Sequence, residues 1–194
     1  MMGKLQIQTT ALQDVKLITP QFFGDQRGFF TESYSQRDFH DAGISFNFIQ
    51  DNHSLSTRAG VLRGMHFQNG QAAQTKLIRV VTGVVWDVIV DLRLGSPTYL
   101  KWQGYILSES NHRQLLVPKG FAHGFVTLTD NVNFLYKCDN YYDAQADDGI
   151  SYCDPQLKIA WPIDLDQAIT SEKDAHRQSL QEFEKNNPFV YGEI

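Results

Sequence analysis

The sequence predicts an all-β fold, a jelly-roll β-barrel or sandwich with a short N-terminal helix and a C-terminal helical tail. Three observations predict it. Apolar residues come mostly in short runs rich in Val, Ile, Leu and aromatic residues. Turn formers recur between those runs, at Gly24, Gly60, Gly70, Gly95, Pro97, Pro118 and Gly120. Two segments carry helix start and stop signals. Many short strands with regular punctuation make sandwiches, jelly rolls and barrels.

In chain order, LQIQTT and VKLITP read as the first strands. Ser35 to Ala42 reads as a short helix with Gly43 as its stop. Lys76 to Asp91, KLIRVVTGVVWDVIVD, is the clearest apolar run, and Gly83 divides it into two strands at a tight turn. KWQGYILS, RQLLVP, GFVTLT and VNFLYKC follow as strands. Thr170 to Lys185 reads as one longer polar helix, opened by Ser171 and closed before Pro188. No linker, repeat or low-complexity tract divides the 194 residues. One domain, 1–194, is therefore expected, with a barrel core over roughly 20–165 and a tail over roughly 166–194. The mouth of such a barrel is where a small ligand sits.

Composition narrows the function classes. With 42% hydrophobic and 20% charged residues, the chain is neither disordered nor collagen-like nor a coiled coil. A net charge of −5 lacks the basic footprint of a nucleic-acid binder. No run of about 18 apolar residues exists to span a membrane. The start, MMGKLQIQTT, has no apolar core of a signal peptide. Cys138 and Cys153 fit no metal spacing or disulfide framework. Reduced thiols and a cytoplasmic location are the expectation.

Two segments concentrate candidate chemistry: Gly60-Val-Leu-Arg-Gly-Met-His66-Phe-Gln68 and Pro118-Lys-Gly120-Phe-Ala-His123-Gly-Phe. A lone His in an apolar strand is more often a satisfied core residue. Together, however, the spacings resemble the two cupin motifs. The first motif has a second His where this chain has Gln68, and its Glu is missing. Lys76, six residues before Gly83, stands where that Glu falls relative to the glycine. A metal site needs neutral imidazoles and a carboxylate, and an ammonium has no lone pair to give. The expectation is a site without metal. Two imidazoles and a lysine suit proton transfer next to a carbonyl: a His takes the proton and a cation stabilises the oxyanion.

Three further segments have a plain structural reading beside a functional one. Phe134-Leu-Tyr136-Lys137-Cys138-Asp-Asn-Tyr141-Tyr142 is a strand with aromatic packing. It also offers Tyr136 as a second proton carrier, and Tyr141 or Tyr142 as a face for stacking a base. Asp25-Gln26-Arg27-Gly28 is a good turn, and Ser171-Glu-Lys173-Asp174 is a helix-start pattern.

Together these segments resemble the dTDP-4-dehydrorhamnose 3,5-epimerase family, through DQRGFFTESY, FIQDNHS, GVLRGMHFQ, QTKLIRVVTG, VDLR-x-x-SPTY, LLVPKGFAHGF, LYKCDNYY and SEKD, from about Phe22 to Asp174. The resemblance implies a cupin-type jelly-roll homodimer without cofactor, acting on a dTDP-sugar at C3 and C5. Carried onto this chain, it makes His66 the general base, Asp174 the carboxylate that orients it, and Tyr136 the acid on the opposite face of the sugar. Lys76 would stabilise the enolate and His123 would contact the sugar. Arg63, Arg27 and Lys173 would pair with the diphosphate and nucleotide, while Glu32, Gln50 and Asn52 hold other polar groups of the substrate. Tyr141 would stack on the base, and the partner subunit would supply the DQRG segment. The chain departs from the family's Glu-x-Gly-Ile-x-Trp, with Asp147 and Tyr152 in place of the Glu and Trp, which weakens the nucleotide contact expected of Asp147. Met65 replaces the commoner Leu, a volume-conserving exchange. Arg27, Arg63, Lys76 and Lys173 would supply the local positive field that an anionic ligand needs on an acidic protein. The same residues would also serve an epimerase acting at C3 or C5 alone, or a ketoisomerase. A non-catalytic sugar-nucleotide binder would not need both His66 and Tyr136.

Overall fold

The computed structural model describes residues 4–193. The first three residues and residue 194 of the expected domain lie outside the described residues. The chain runs through β1 (Leu5–Thr9), β2 (Lys16–Pro20), β3 (Phe22–Asp25), β4 (Gly28–Thr31), α1 (Gln36–Asp41), β5 (Gln50–Ser56), β6 (Leu62–Gln68), β7 (Lys76–Thr82) and β8 (Val84–Asp91). It continues through β9 (Trp102–Ser108), β10 (Gln114–Val117), β11 (Phe121–Thr127), β12 (Val132–Cys138), β13 (Asp147–Gly149), α2 (Glu172–Ala175) and α3 (Leu180–Glu184). A six-stranded sheet, β1-β2-β10-β7-β12-β5, faces a five-stranded sheet, β13-β6-β11-β8-β9. Their neighbouring strands pair antiparallel, and β3 and β4 form a separate hairpin. This is the jelly-roll sandwich that the punctuated runs predict.

The central strands β8 and β11 are covered on both faces, which is why they read as continuous apolar runs. On β7, Ile78 and Val80 point inward to Phe125 and Phe134, while Leu77 points outward to Phe39 of α1. On β8, Val85 and Ile89 enter the central core, while Val88 and Val90 meet Leu180, Phe183 and Phe189 of the tail. Gly83, at φ +81°, carries the chain from one sheet to the other between β7 and β8, so the tight turn there is a corner and not a hairpin.

The C-terminal expectation needs correction. Thr170 to Lys185 is not one helix. Ser171 caps α2 and Ser179 caps α3, each accepting a backbone N–H three residues on. Between them, Ser151 N–H donates to the Gln178 carbonyl at 2.8 Å. That pairing with the barrel, plus a second Ser-x-x-Glu cap, outweighs helical propagation through His176–Gln178. Near the N-terminus, Ser35 caps α1 and Gly43 follows it at φ +77°, as the sequence predicts. The strands β5 and β6 lie outside the apolar runs read above: β5 is polar, and β6 is broken by Gly64.

Candidate active site

A cavity of about 670 Å³ opens at one end of the sandwich. The five-stranded sheet lines it with Arg63, His66 and Gln68 of β6 and with Asp147 of β13. The six-stranded sheet faces them with Lys76 of β7 and Tyr136 of β12. The segment Thr170–Asp174 and Arg177 complete the wall.

Strand β6 reaches this arrangement through an irregularity. Arg63 and His66 are three residues apart, so strict alternation would send them to opposite faces. The register between β6 and β11 shifts between the Phe125↔Arg63 and His123↔His66 pairs. The extra residue turns Met65 and Phe67 outward into the tail cluster and leaves Arg63, His66 and Gln68 on the cavity. Gly64 permits it: at φ +134°, a Cβ there would lie 2.5 Å from the Gly124 Cα.

His66 Nε2 meets Asp174 Oδ1 at 2.5 Å. With Nε2–H donated to the carboxylate, the imidazole lone pair sits on Nδ1. Asp174 is buried, and Ser171 Oγ accepts its backbone N–H at 3.1 Å. One helix start thus fixes the carboxylate against the imidazole. Burial alone would raise the Asp174 pKa, but the His66 hydrogen bond and charge outweigh it and hold the group below the usual carboxylate range. Burial pulls the His66 pKa below its ordinary 6.5; Asp174 opposes the fall, and the Lys76 and Arg177 charges add to it. A neutral imidazole beside a fixed carboxylate has a free lone pair with which to take a proton.

Tyr136 and Lys76 approach from the opposite sheet, with Lys76 Nζ 5.9 Å from the Tyr136 ring centre. Burial pushes the Tyr136 phenol up to about 12, so it stays protonated. Burial also lowers the Lys76 pKa, against the raising influence of Cys138, Asp147 and Asp87. The cavity therefore carries an imidazole on one wall, a protonated phenol on the other, and the Lys76 amine beside the phenol.

The remaining predicted residues are distributed differently. Lys173 lines the cavity in an ion pair with Asp147, whose carboxyl burial would raise but Lys173 and Arg177 hold low. His123 lies opposite His66 in register, but its ring is buried, bonded through Nε2 to Asp87 at 2.9 Å and set against Phe134. It does not line the cavity. Gln50 Nε2 donates to Asn52 Oδ1 at 3.1 Å, and Gln50 also accepts the Tyr142 N–H. Asn52 lines a neighbouring cavity of about 310 Å³ that shares Tyr136. Tyr141 is 66% exposed, and Tyr142 lines the main cavity in its place. Arg27, paired with Asp25, and Glu32, paired with Lys4, belong to the β3–β4 region away from the cavity. Of the cupin ligand positions, His66 and His123 are tied to carboxylates, Gln68 accepts the Asp143 N–H, and Lys76 contributes a cation. Among the described residues, no three His, Cys, Asp or Glu side chains group to hold a metal.

Sequence reasoning missed Gln74 and Arg177 as lining residues. Arg177 lies beyond the end of α2, in a polar tail that gives no sequence signal of burial.

A family model described as dTDP-4-dehydrorhamnose 3,5-epimerase matches residues 9–182. This chain belongs to that family. Among characterised epimerases of the family, the one from Pseudomonas aeruginosa is 52% identical over 84% of this chain and 90% of its own length. The one from Shigella flexneri is 46% identical over 91% of this chain and 96% of its own. The Bacillus anthracis enzyme, solved with TDP and PPi bound, superposes with a TM-score of 0.88 at 50% identity, covering 91% of this chain and 99% of that one. The Legionella pneumophila enzyme, solved with dTDP-4-keto-L-rhamnose, gives 0.91 at 45% identity, covering 96% and 98%. The epimerase family is a family of isomerases, and this chain is an enzyme of that class.

Proposed function

We propose that the protein converts dTDP-4-dehydro-6-deoxy-D-glucose to dTDP-4-dehydro-L-rhamnose by inverting C3 and C5. The observation that carries this reading is the opposed pair: the His66–Asp174 dyad on one wall and the protonated Tyr136 on the other. Both carbons flank the C4 carbonyl, so their protons are acidified by the same group. His66 Nδ1 removes the proton, and the electron pair passes to O4 as an enolate. Lys76 stabilises that oxyanion, an interaction whose loss costs about 10²–10³-fold in rate. Tyr136 then delivers a proton to the opposite face of the carbon, and the phenolate and imidazolium return to their starting states through solvent. Arg63 and Lys173 bind the diphosphate, and Lys173 exchanges its Asp147 partner for phosphate. Tyr142, which lines the cavity, would stack on the base in place of Tyr141.

The reading includes a homodimer. Arg27 and Glu32 lie away from their own cavity, while the same hairpin exposes Phe23, Phe29 and Phe30. A second copy's hairpin reaching the cavity would bring Arg27 to the ligand and cover those rings. Both cysteines are free thiols, in keeping with a cytoplasmic location.

A second reading, inversion at one carbon only, is favoured by the similar fold of a 3′-monoepimerase from Streptomyces bikiniensis, with a TM-score of 0.86 at 28% identity. Incubation of the 4-keto sugar nucleotide in D₂O, followed by NMR, decides between them. Deuterium at both C3 and C5, with the L-configured product, is expected. Deuterium at one carbon alone would establish the second reading.

A further inference from the structure

Arg177 is a buried cation that the mechanism above does not use. Its side chain is 7% exposed, and it lines the same cavity as His66. It leaves the chain two residues after α2, next to Gln178, which is bridged to Ile150. Its stem lies over Gly149, where a Cβ would come within 3.1 Å of its Cδ and Nε. Gly149 pairs directly with His66 across β13 and β6. The guanidinium is thereby laid beside the base strand, with Nη2 3.5 Å from Asp147 Oδ2 and Nε 3.7 Å from Asp174 Oδ1. Nε has no hydrogen-bond partner among the described residues. A buried arginine between two carboxylates compensates both and fixes their separation, because its planar fork is rigid where a lysine is not.

The charges then alternate along one line: Lys173, Asp147, Arg177, Asp174, His66. One end meets the ligand's phosphates and the other holds the imidazole. We propose that Arg177 is a positioning residue for the dyad, its guanidinium spanning Asp147 and Asp174 and joining the anion-binding end of the cavity to the basic end. The inference rests on His66 being the base. Arg177 sets a fixed positive charge against the Asp174 carboxylate, and that charge favours the neutral imidazole. The charged and titratable groups facing His66 are Asp174 and Arg177 from the tail, Lys76 from β7, Asp147 from β13, Arg63 from β6 and Tyr136 from β12.

The test is Arg177→Gln, compared with Arg177→Lys, on the full-length enzyme. Two readouts are taken: NMR titration of the His66 imidazole without substrate, and kcat and KM against pH. Loss of the cation lets His66 bind its proton more readily. The glutamine variant should therefore move the His66 titration and the acid limb of kcat/KM to higher pH by about 0.5 unit or more. It should lower kcat near pH 6 by up to about threefold for a shift of that size, with KM within about twofold. Arg177→Lys keeps the charge and should leave the acid limb within about 0.2 unit. If the glutamine variant does not fold, Arg177→Met, which also removes the charge but keeps an apolar stem over Gly149, is read by the same limb. A KM raised about tenfold in either variant, with the limb unmoved, would make Arg177 a substrate contact and overturn the proposal. So would an equal loss of activity at every pH with an unmoved His66, the sign of a purely structural role. A His66 shift that the kcat/KM limb does not follow would uphold the Arg177 placement and remove His66 as the base.

Discussion

The imidazole of His66 is where burial and charge compete most directly. Burial, with Lys76 and Arg177, favours the neutral ring, and Asp174 favours the charged one; the neutral form wins. A base must be unprotonated to act, so the acid limb of kcat/KM should fall below pH 6.5, read from a pH–rate profile of the unaltered enzyme. Asp174→Asn removes the opposing influence and the orienting bond together. The expected result is a rate lower by about 10²-fold or more with the fold retained by circular dichroism. A variant that only loses the roughly 0.5–2 kcal/mol of a weakened helix start would reduce Asp174 to a capping residue. At this scale His66, Tyr136 and Lys76 were legible as chemically distinctive residues, while Asp174 read as a helix start and gained its role only from the family resemblance; all four line one cavity. Arg177 was not legible, because an arginine in a polar tail carries no pattern separating a buried cation from a solvated one. His123 was read from its motif as a cavity residue, but depth behind the cavity wall is invisible in spacing.

Strand β6 shows what a single element contributes. Its seven residues place Arg63 and His66 on one face only because the chain slips at Gly64. Gly64→Ala would drive a methyl group into the Gly124 backbone, where no side chain can yield. Overpacking of this kind costs about 1–3 kcal/mol, and a left-handed φ adds to it. Urea unfolding should show that loss, and any folded fraction should bind substrate poorly because Arg63 and His66 no longer converge. A fully stable, active Gly64→Ala enzyme would refute this account of the strand. Apolar runs revealed β7, β8 and β12, since strands covered on both faces are apolar throughout. They did not reveal β5, whose half-buried Gln50, Asn52 and Ser54 alternate with exposed positions, nor β13, which is three residues long. The tail helix was over-extended in the sequence reading because polar composition alone does not show that Gln178 pairs with the barrel.

Across the whole molecule, one buried ion cluster ties the chain's ends to the sandwich. Arg93 donates to Asp91 at 2.9 Å and to Asp14 at 2.9 Å, with its guanidinium between the rings of Phe121 and Tyr191. Arg93→Ala leaves the buried Asp91 uncompensated and should cost about 3–5 kcal/mol, read as a fall in the urea midpoint. A loss within about 0.5 kcal/mol would show that the cluster is dispensable. In the function proposed above, the two sheets of this sandwich present a base and an acid to opposite faces of one sugar. The decisive variant is Tyr136→Phe, which keeps the ring and its packing but removes the donor. In D₂O, His66 can still remove a proton, exchange it with solvent and return it to the same side. The variant should incorporate deuterium with retention of configuration, while net epimerisation falls by about 10²-fold or more. Near-normal epimerisation by Tyr136→Phe would contradict the two-wall mechanism and place the acid elsewhere.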